Sequence, residues 1–220
     1  MIYQNPGVLF WGLLLLSLMA GIFVLCTCFL KFTIVLNILK TTIGLQQAPP
    51  AMVINAFAIV LTLQTMHPVI EEVAARLGEE VSLETPGGLS INDGLEILEL
   101  VSFPLRSFMA KNIGDSLTQR YRSDLESGDH VDVDVTMEEA PFADLAVLFV
   151  CAEITGALKI GMVLYLVFLA IDFVIASILQ VVGMSQLQLN SIATPLKFLL
   201  IASADNLYRL LGVVSRSYSF

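Results

Sequence analysis

The sequence of 220 residues is 56% hydrophobic and 14% charged, with a mean hydropathy of +0.82 and a formal net charge of −9. This composition is too apolar for an ordinary soluble domain and lacks the clustered lysines and arginines of a nucleic-acid-binding protein, so it indicates a membrane protein. The negative charge is local, because residues 71–144 hold 17 acids and 5 bases whereas the rest of the chain holds 3 acids and 6 bases.

The first apolar stretch predicts a helix from about Val8 to Leu39. Residues 8–30 are 23 consecutive residues without a formal charge, and a helix of that length spans roughly 34 Å, enough for the hydrocarbon core of a bilayer. No positive charge or small-residue cleavage pattern marks the beginning, so a cleaved signal peptide is not expected.

A hairpin turn follows, carried by Gly44, Gln46, Gln47, Pro49 and Pro50. The two prolines suit the first turn of a helix, because proline lacks the N–H that is unpaired there anyway. The second helix is therefore predicted over residues 51–66, and these two helices form the first apolar hairpin.

The acidic segment predicts a helical insert. Helices are expected near residues 69–77, from residue 92 or 93 through 108, and over 114–125, with a glycine-rich break at 85–88 and a loop at 127–135. Thr136 and Glu139 have capping-box spacing just before the next apolar run.

The third apolar run predicts one long helix from Phe142 to about Val182, ended by Gly183. A turn over residues 184–195 leads into a last helix from Leu196 to about Val214. The fold class is therefore predicted as all-α and membrane-type, in three regions: a first hairpin at 1–70, an acidic extracytoplasmic insert at 71–140 and a second hairpin at 141–220. Both hairpins share the order helix, glycine, glutamine-containing turn, proline, helix.

The bases near the two hairpin turns predict the orientation in the membrane. Lys31 and Lys40 flank the first turn and Lys197 the second. Because cytoplasmic loops are enriched in lysine and arginine, these turns are expected to face the cytoplasm and the acidic insert the opposite side.

Charges within the apolar helices are the candidate functional residues, because an unpaired charge costs about 2.5–3.5 kcal/mol at the bilayer centre. Asp205 and Arg209 are four residues apart and can pair on one helix. The others lack a partner at helical spacing: Lys31, Glu153, Lys159 and Asp172. We predict that their partners lie on other helices or other chains, with a proton relay as the alternative.

Small residues four positions apart predict close helix packing. The pairs are Ser17 with Gly21, Ala152 with Gly156, and Ala157 with Gly161. Such spacing lets helix backbones approach closely in membranes. Together with the unpaired charges, these pairs favour oligomerisation.

Catalytic and metal-binding patterns are missing from the sequence. His67 and His130 lie in separate regions, and neither belongs to an H-E-x-x-H pattern. There is no G-x-S-x-G, no P-loop and no Cys/His cluster with metal-ligand spacing. The sequence therefore predicts a protein that is not an enzyme and holds neither metal nor cofactor.

Four segments carry a family resemblance, in this order: FLKFTIVLNILKTTIGLQQAPPAMVINAFAIVLTLQTMHP, PLRSFMAKN, ALKIGMVLYLVFLAIDFVIASILQVVGM and TPLKFLL. They resemble the FliP/SctR (YscR-like) family of inner-membrane proteins in the export apparatus of bacterial type III secretion systems. The resemblance implies five copies in a helical, cone-shaped export gate with SctS/FliQ-type and SctT/FliR-type subunits. It also implies contact with SctU/FlhB-type and SctV/FlhA-type components, and a gate that lies largely on the periplasmic side of the inner membrane.

In such a gate the chain would help to form a conduit for unfolded secreted substrates. The resemblance implies a pore seal at the turn after the third helix, where Met184 is joined by Leu187 and Leu189 instead of further methionines. Flagellar members of the family commonly begin with a cleaved signal peptide, and none is expected here, so the resemblance favours a virulence injectisome over a flagellar system. The alternative function is a small ion-coupled transporter or channel that uses Glu153, Lys159 and Asp172 as a charge pathway.

Overall fold

The computed structural model describes residues 21–45, 49–80, 91–127, 137–184, 188–203 and 206–220, together with residues 10, 14 and 17. Every regular element over these residues is a helix, which confirms the predicted all-α class. Residues 21–26 are helical and precede eight further helices: α1 (Phe29–Ile43), α2 (Ala51–Thr65), α3 (His67–Glu80), α4 (Ile91–Asn112), α5 (Asp115–Ser127), α6 (Phe142–Val181), α7 (Leu189–Ala202) and α8 (Asn206–Ser215).

The prediction of one continuous helix over residues 8–39 is wrong in its second half. The helix over residues 21–26 stops at Thr27, and α1 starts at Phe29 and continues to Ile43. The Thr27 hydroxyl donates to the Phe23 carbonyl at 2.6 Å and accepts the N–H of Phe29 at 3.4 Å. A threonine that bonds to nearby backbone groups competes with the helix ladder and caps the next helix, which explains the break.

The prediction of one last helix over residues 196–214 is also wrong, because α7 starts seven residues earlier, at Leu189, and α8 is a separate helix. Ser203 ends α7 in an extended conformation, and its N–H bonds to the Leu199 carbonyl at 2.8 Å. The Asn206 side chain donates to the Leu200 carbonyl at 2.9 Å. These two bonds satisfy carbonyls of the last turn of α7, so the chain can leave the helix there.

The other predicted helices are confirmed as α2, α3, α4, α5 and α6, with small shifts at their ends. The predicted break at 85–88, residues 128–135 of the predicted loop, and Thr136 lie outside the described residues. Glu139 belongs to a turn at 137–139, and α6 begins only at Phe142. Glu139 is therefore not the third residue of α6, as a capping box requires.

The described residues form two compact units: those within 1–30 and 66–152, with Phe220, form the first, and those within 31–65 and 153–219 form the second. In the first unit, the Phe108 ring packs against Phe149 and Phe220, each at 5.7 Å between ring centres. The Tyr121 hydroxyl donates to Asp144 at 2.9 Å. Partial burial raises the pKa of Tyr121 above its ordinary value, and Asp144 raises it further. The three-region division of the sequence stays a prediction.

Helix α6 is long and apolar enough to cross a membrane, and only 11% of its most apolar window is buried. Over the described residues, the number of candidate spans rises to three if α2 with α3, and α7 with α8, each form one bent span. The uncovered apolar side chains of α6 need lipid or another protein around them, since water is the least favourable neighbour for such a surface.

Glycines end α1 and α6 in the same way. The N–H of Gly44 (φ +93°) bonds to the carbonyl three residues earlier at 3.0 Å, and the next N–H bonds five residues back at 3.2 Å. Gly183 (φ +77°) repeats the pattern at 3.2 and 3.0 Å. Both ends are Schellman motifs, which confirms that α6 ends at Gly183.

We expect Gly44→Ala to destabilise the protein more than Gly183→Ala. A left-handed backbone costs a non-glycine residue about 1–2 kcal/mol, so both variants carry that penalty. A Cβ at Gly44 would in addition lie 2.7 Å from the Thr194 hydroxyl, whereas a Cβ at Gly183 meets open space. Thermal unfolding of both variants in mild detergent measures the difference in stability. Equal decreases in the unfolding temperature would show that the contact with Thr194 does not affect stability.

Candidate functional site: two buried ion pairs

Within the second compact unit, α1 and α6 pack closely and run in the same direction. A Cβ at Gly156 would lie 3.1 Å from the Lys31 side chain, and one at Gly161 would overlap the Ile38 side chain. Two glycines thus give α1 room to approach, as the small-residue pattern predicts. The sequence pattern favoured oligomerisation, but here these glycines serve a contact inside one chain.

The first ion pair joins these two helices. The Lys31 ammonium lies 2.9 Å from a carboxylate oxygen of Glu153, and the two side chains are 9% and 1% exposed. The Tyr218 hydroxyl donates to the other carboxylate oxygen. The ammonium also lies 4.0 Å from the Tyr218 ring centre and 3.5 Å from the Ser217 hydroxyl. A buried pair needs such additional partners, because its mutual attraction alone does not offset desolvation.

The helical register explains why Glu153 is buried. It occupies one position of a series at intervals of four whose members are all buried: Leu145, Phe149, Glu153 and Ala157. Residues at this spacing share one helix face. The spacing of Glu153, Lys159 and Asp172 shows only that the three charges lie on different faces of α6. The buried apolar residues at intervals of four around Glu153 show that it lies on the inward face.

The second ion pair joins α6, α7 and the end of α1. The Lys197 ammonium donates to Asp172 at 2.6 Å and to the Thr42 carbonyl at 3.1 Å, with the Phe168 ring centre 5.9 Å away. The Lys197 side chain is 6% exposed and that of Asp172 is 26% exposed. A cation is favourable at a helix C-terminus, where carbonyl groups lack partners within the helix.

The structure thus gives Lys31, Glu153 and Asp172 partners on other helices of the same chain. Lys159 and Arg209 are exposed, so a partner for Lys159 on another chain stays a prediction. Asp205 lies outside the described residues, and the predicted pair with Arg209 is untested.

The predicted seal and turn residues are only partly described. Met184 is exposed and Leu189 is half-buried, whereas Leu187, Gln46 and Gln47 lie outside the described residues. Of the first turn, Pro49 and Pro50 are exposed, and the Pro49 carbonyl accepts the Lys40 ammonium at 2.8 Å. The sealing role of the second turn therefore stays a prediction.

Sequence reasoning missed three partners in these clusters. Lys197 was interpreted as a membrane-flanking base, and Ser217 and Tyr218 were not singled out at all. No local pattern signals them, since a tyrosine near the end of a helical hairpin has no spacing relation to a buried acid elsewhere. Of the three bases that predicted the orientation in the membrane, Lys31 and Lys197 lie in ion pairs, so only Lys40 remains as a base without a carboxylate partner in the described structure.

Both clusters act as fixed cross-links between helices. Among the described residues, no group of three or more His, Cys, Asp or Glu side chains could hold a metal ion. Each lysine lies beside one carboxylate of another helix, and a buried pair of this kind, together with its further polar partners, holds the helices in one register. This geometry supports a rigid packing role for the charged residues.

Comparison with known proteins finds a matching family model and several proteins of similar sequence. The model of the FliP family matches residues 13–214. The hypersensitivity response secretion protein HrcR of Ralstonia nicotianae is 31% identical over 81% of this chain and 82% of its own length. The virulence protein YscR of Salmonella typhimurium is 30% identical over 98% of this chain and 96% of its own. The flagellar biosynthetic protein FliP of Treponema pallidum is 34% identical over 88% and 68%.

Proposed function

Because this chain belongs to the FliP family, we propose that it is a subunit of the export apparatus of a bacterial type III secretion system. The observation that carries the proposal is the family match over residues 13–214. The names of its relatives, which refer to secretion, virulence and flagellar biosynthesis, support an export role. The chain is not proposed to be an enzyme.

In this proposal, five copies assemble with SctS/FliQ-type and SctT/FliR-type subunits into a cone-shaped gate that conducts unfolded substrates across the inner membrane. Contacts with SctU/FlhB-type and SctV/FlhA-type components are part of the same proposal. The large apolar side chains left exposed on α2 support a crowded environment: Met52, Val53, Phe57, Ile59, Val60 and Leu63. Neighbouring subunits or lipid would cover them.

The proposal retains the three-region division, with the acidic insert on the periplasmic side and the bulk of the gate there too. Local charge supports the insert's exposure to water, since residues 71–144 carry most of the acids. The ion-coupled transporter is less favoured, because Glu153 and Asp172 each already face a lysine. A charge pathway would need carboxylates that are free to bind and release cations.

The turn at Met184, Leu187 and Leu189 is proposed as the seal of the pore. Flexible apolar side chains from several copies can close a ring by contact, exclude water and still yield to a passing polypeptide. Met184, which is 47% exposed, has a side chain available for such contacts.

Expression of the chain with its candidate partner subunits tests the function. We expect a complex with five copies in the mass spectrum of the intact detergent-extracted assembly, and loss of type III secretion when the gene is deleted. Ala replacement of Met184, Leu187 and Leu189 together should raise ion leakage and leave the assembly intact. Secretion that survives deletion would contradict the export role, and unchanged conductance in an assembled triple variant would contradict only the seal.

A further inference from the structure

A polar cleft lies beside the second ion pair, within the second compact unit. Its volume is about 560 Å³, and α1, α6 and α7 contribute its walls. The lining is rich in hydrogen-bond donors and charges: Asn37, Lys40, Tyr165, Asp172, Asn190 and Lys197. The helix-packing role of the ion pairs does not require a cleft of this size.

The cleft is positively charged within an acidic protein. Lys197 and Asp172 neutralise each other at 2.6 Å, so the remaining charge is that of Lys40. An ammonium group has three N–H donors, and the Pro49 carbonyl accepts one of them at 2.8 Å. Lys40 therefore retains N–H donors for a bound anion. With Lys197 and Asp172 paired, the net charge of the lining is +1, which matches a ligand with one negative charge.

An exposed apolar stripe borders the cleft. Four side chains of α6 at helical spacing form it, all of them exposed: Met162, Leu166, Leu169 and Phe173. Leu169 lines the cleft as well, so the polar and apolar surfaces meet at one residue. Tyr165, which is 54% exposed, also lines the cleft, and tyrosine is enriched where membrane proteins meet the headgroup region.

We propose that this cleft binds the headgroup of an anionic phospholipid, with the phosphodiester at Lys40 and an acyl chain along the α6 stripe. A soluble anion would use the charge but not the apolar surface. A zwitterionic lipid would use the stripe but has no net charge to match that of Lys40. The amides of Asn37 and Asn190 supply further polar groups along the lining.

The test compares lipids of identical acyl chains on the full chain, in whatever complex it forms. Phosphatidylglycerol or phosphatidylcholine is titrated into the detergent-solubilised protein, and bound lipid is counted by native mass spectrometry. We expect half-saturation by phosphatidylglycerol at about one tenth of the phosphatidylcholine concentration, the effect of one charge-assisted contact. Lys40→Gln should abolish that preference, whereas Arg209→Gln, at an exposed base that does not line the cleft, should retain it.

A second variant separates a specific effect on lipid binding from misfolding of the Lys40→Gln variant. Asn190→Asp keeps Lys40 and adds a carboxylate to the lining, so it should also abolish the preference. Equal retention of both lipids by the unmodified protein would overturn the proposal, as would an unchanged preference in a folded Lys40→Gln variant. Displacement of phosphatidylglycerol by millimolar inorganic phosphate would show a phosphate site without lipid recognition. Loss of a partner subunit from the Lys40→Gln complex, with lipid binding unchanged, would show a protein contact instead.

Discussion

Glu153→Leu should destabilise the protein by about 3–5 kcal/mol, because it leaves the buried Lys31 ammonium without its counter-ion. Lys31→Met should cost a similar amount, since the Glu153 carboxylate is 1% exposed. The double variant should recover most of the loss, because two apolar side chains of similar volume remove both charges from the interior. Denaturant unfolding in mild detergent measures all three free energies.

Lys159→Met is the matched control for this cycle. It removes a charge from the same helix at an exposed position, and surface substitutions of this kind usually change the free energy of unfolding by less than about 0.5 kcal/mol. A double variant as unstable as the sum of the two single variants would contradict the pairing. Tyr218→Phe measures the contribution of the hydroxyl apart from that of the ring, because it removes the donor to Glu153 and keeps the ring beside Lys31.

Lys197→Met should destabilise the protein by about 2–3 kcal/mol. The loss is smaller than at Glu153 because the Asp172 side chain is 26% exposed and water can solvate part of the abandoned carboxylate. Pairing this change with Asp172→Leu should recover only part of the loss. The Thr42 carbonyl, which accepts the Lys197 ammonium at 3.1 Å, stays without that donor in the double variant.

The second cycle is measured in the same way, with Arg209→Met as the control at an exposed base. Complete recovery in the Asp172→Leu and Lys197→Met double variant would show that the carbonyl contact contributes nothing. No loss in Lys197→Met alone would contradict the role of this cluster as a cross-link between α1, α6 and α7.

Local sequence determined the all-α class and the longest helix, α6. A long apolar run with few charges favours a helix in or against a membrane, because a helix satisfies its own backbone hydrogen bonds there. The end of α6 at Gly183 could be predicted for a similarly local reason, since a positive φ at a helix end favours glycine. The extent of α6, predicted over residues 142–182 and found as Phe142–Val181, follows from the same two facts.

Only the tertiary structure decided which charged and polar side chains meet. Tyr218 and Glu153 are 65 positions apart, and Lys197 and Asp172 are 25 apart. Helical periodicity relates residues only within a few turns, so it states that a buried charge needs a partner but cannot identify it. The break at Thr27 was missed because a threonine hydroxyl can bond to the carbonyl four residues earlier inside an unbroken helix, as Thr42 and Thr62 do. The sequence does not show that the Thr27 hydroxyl also accepts the N–H that begins a new helix.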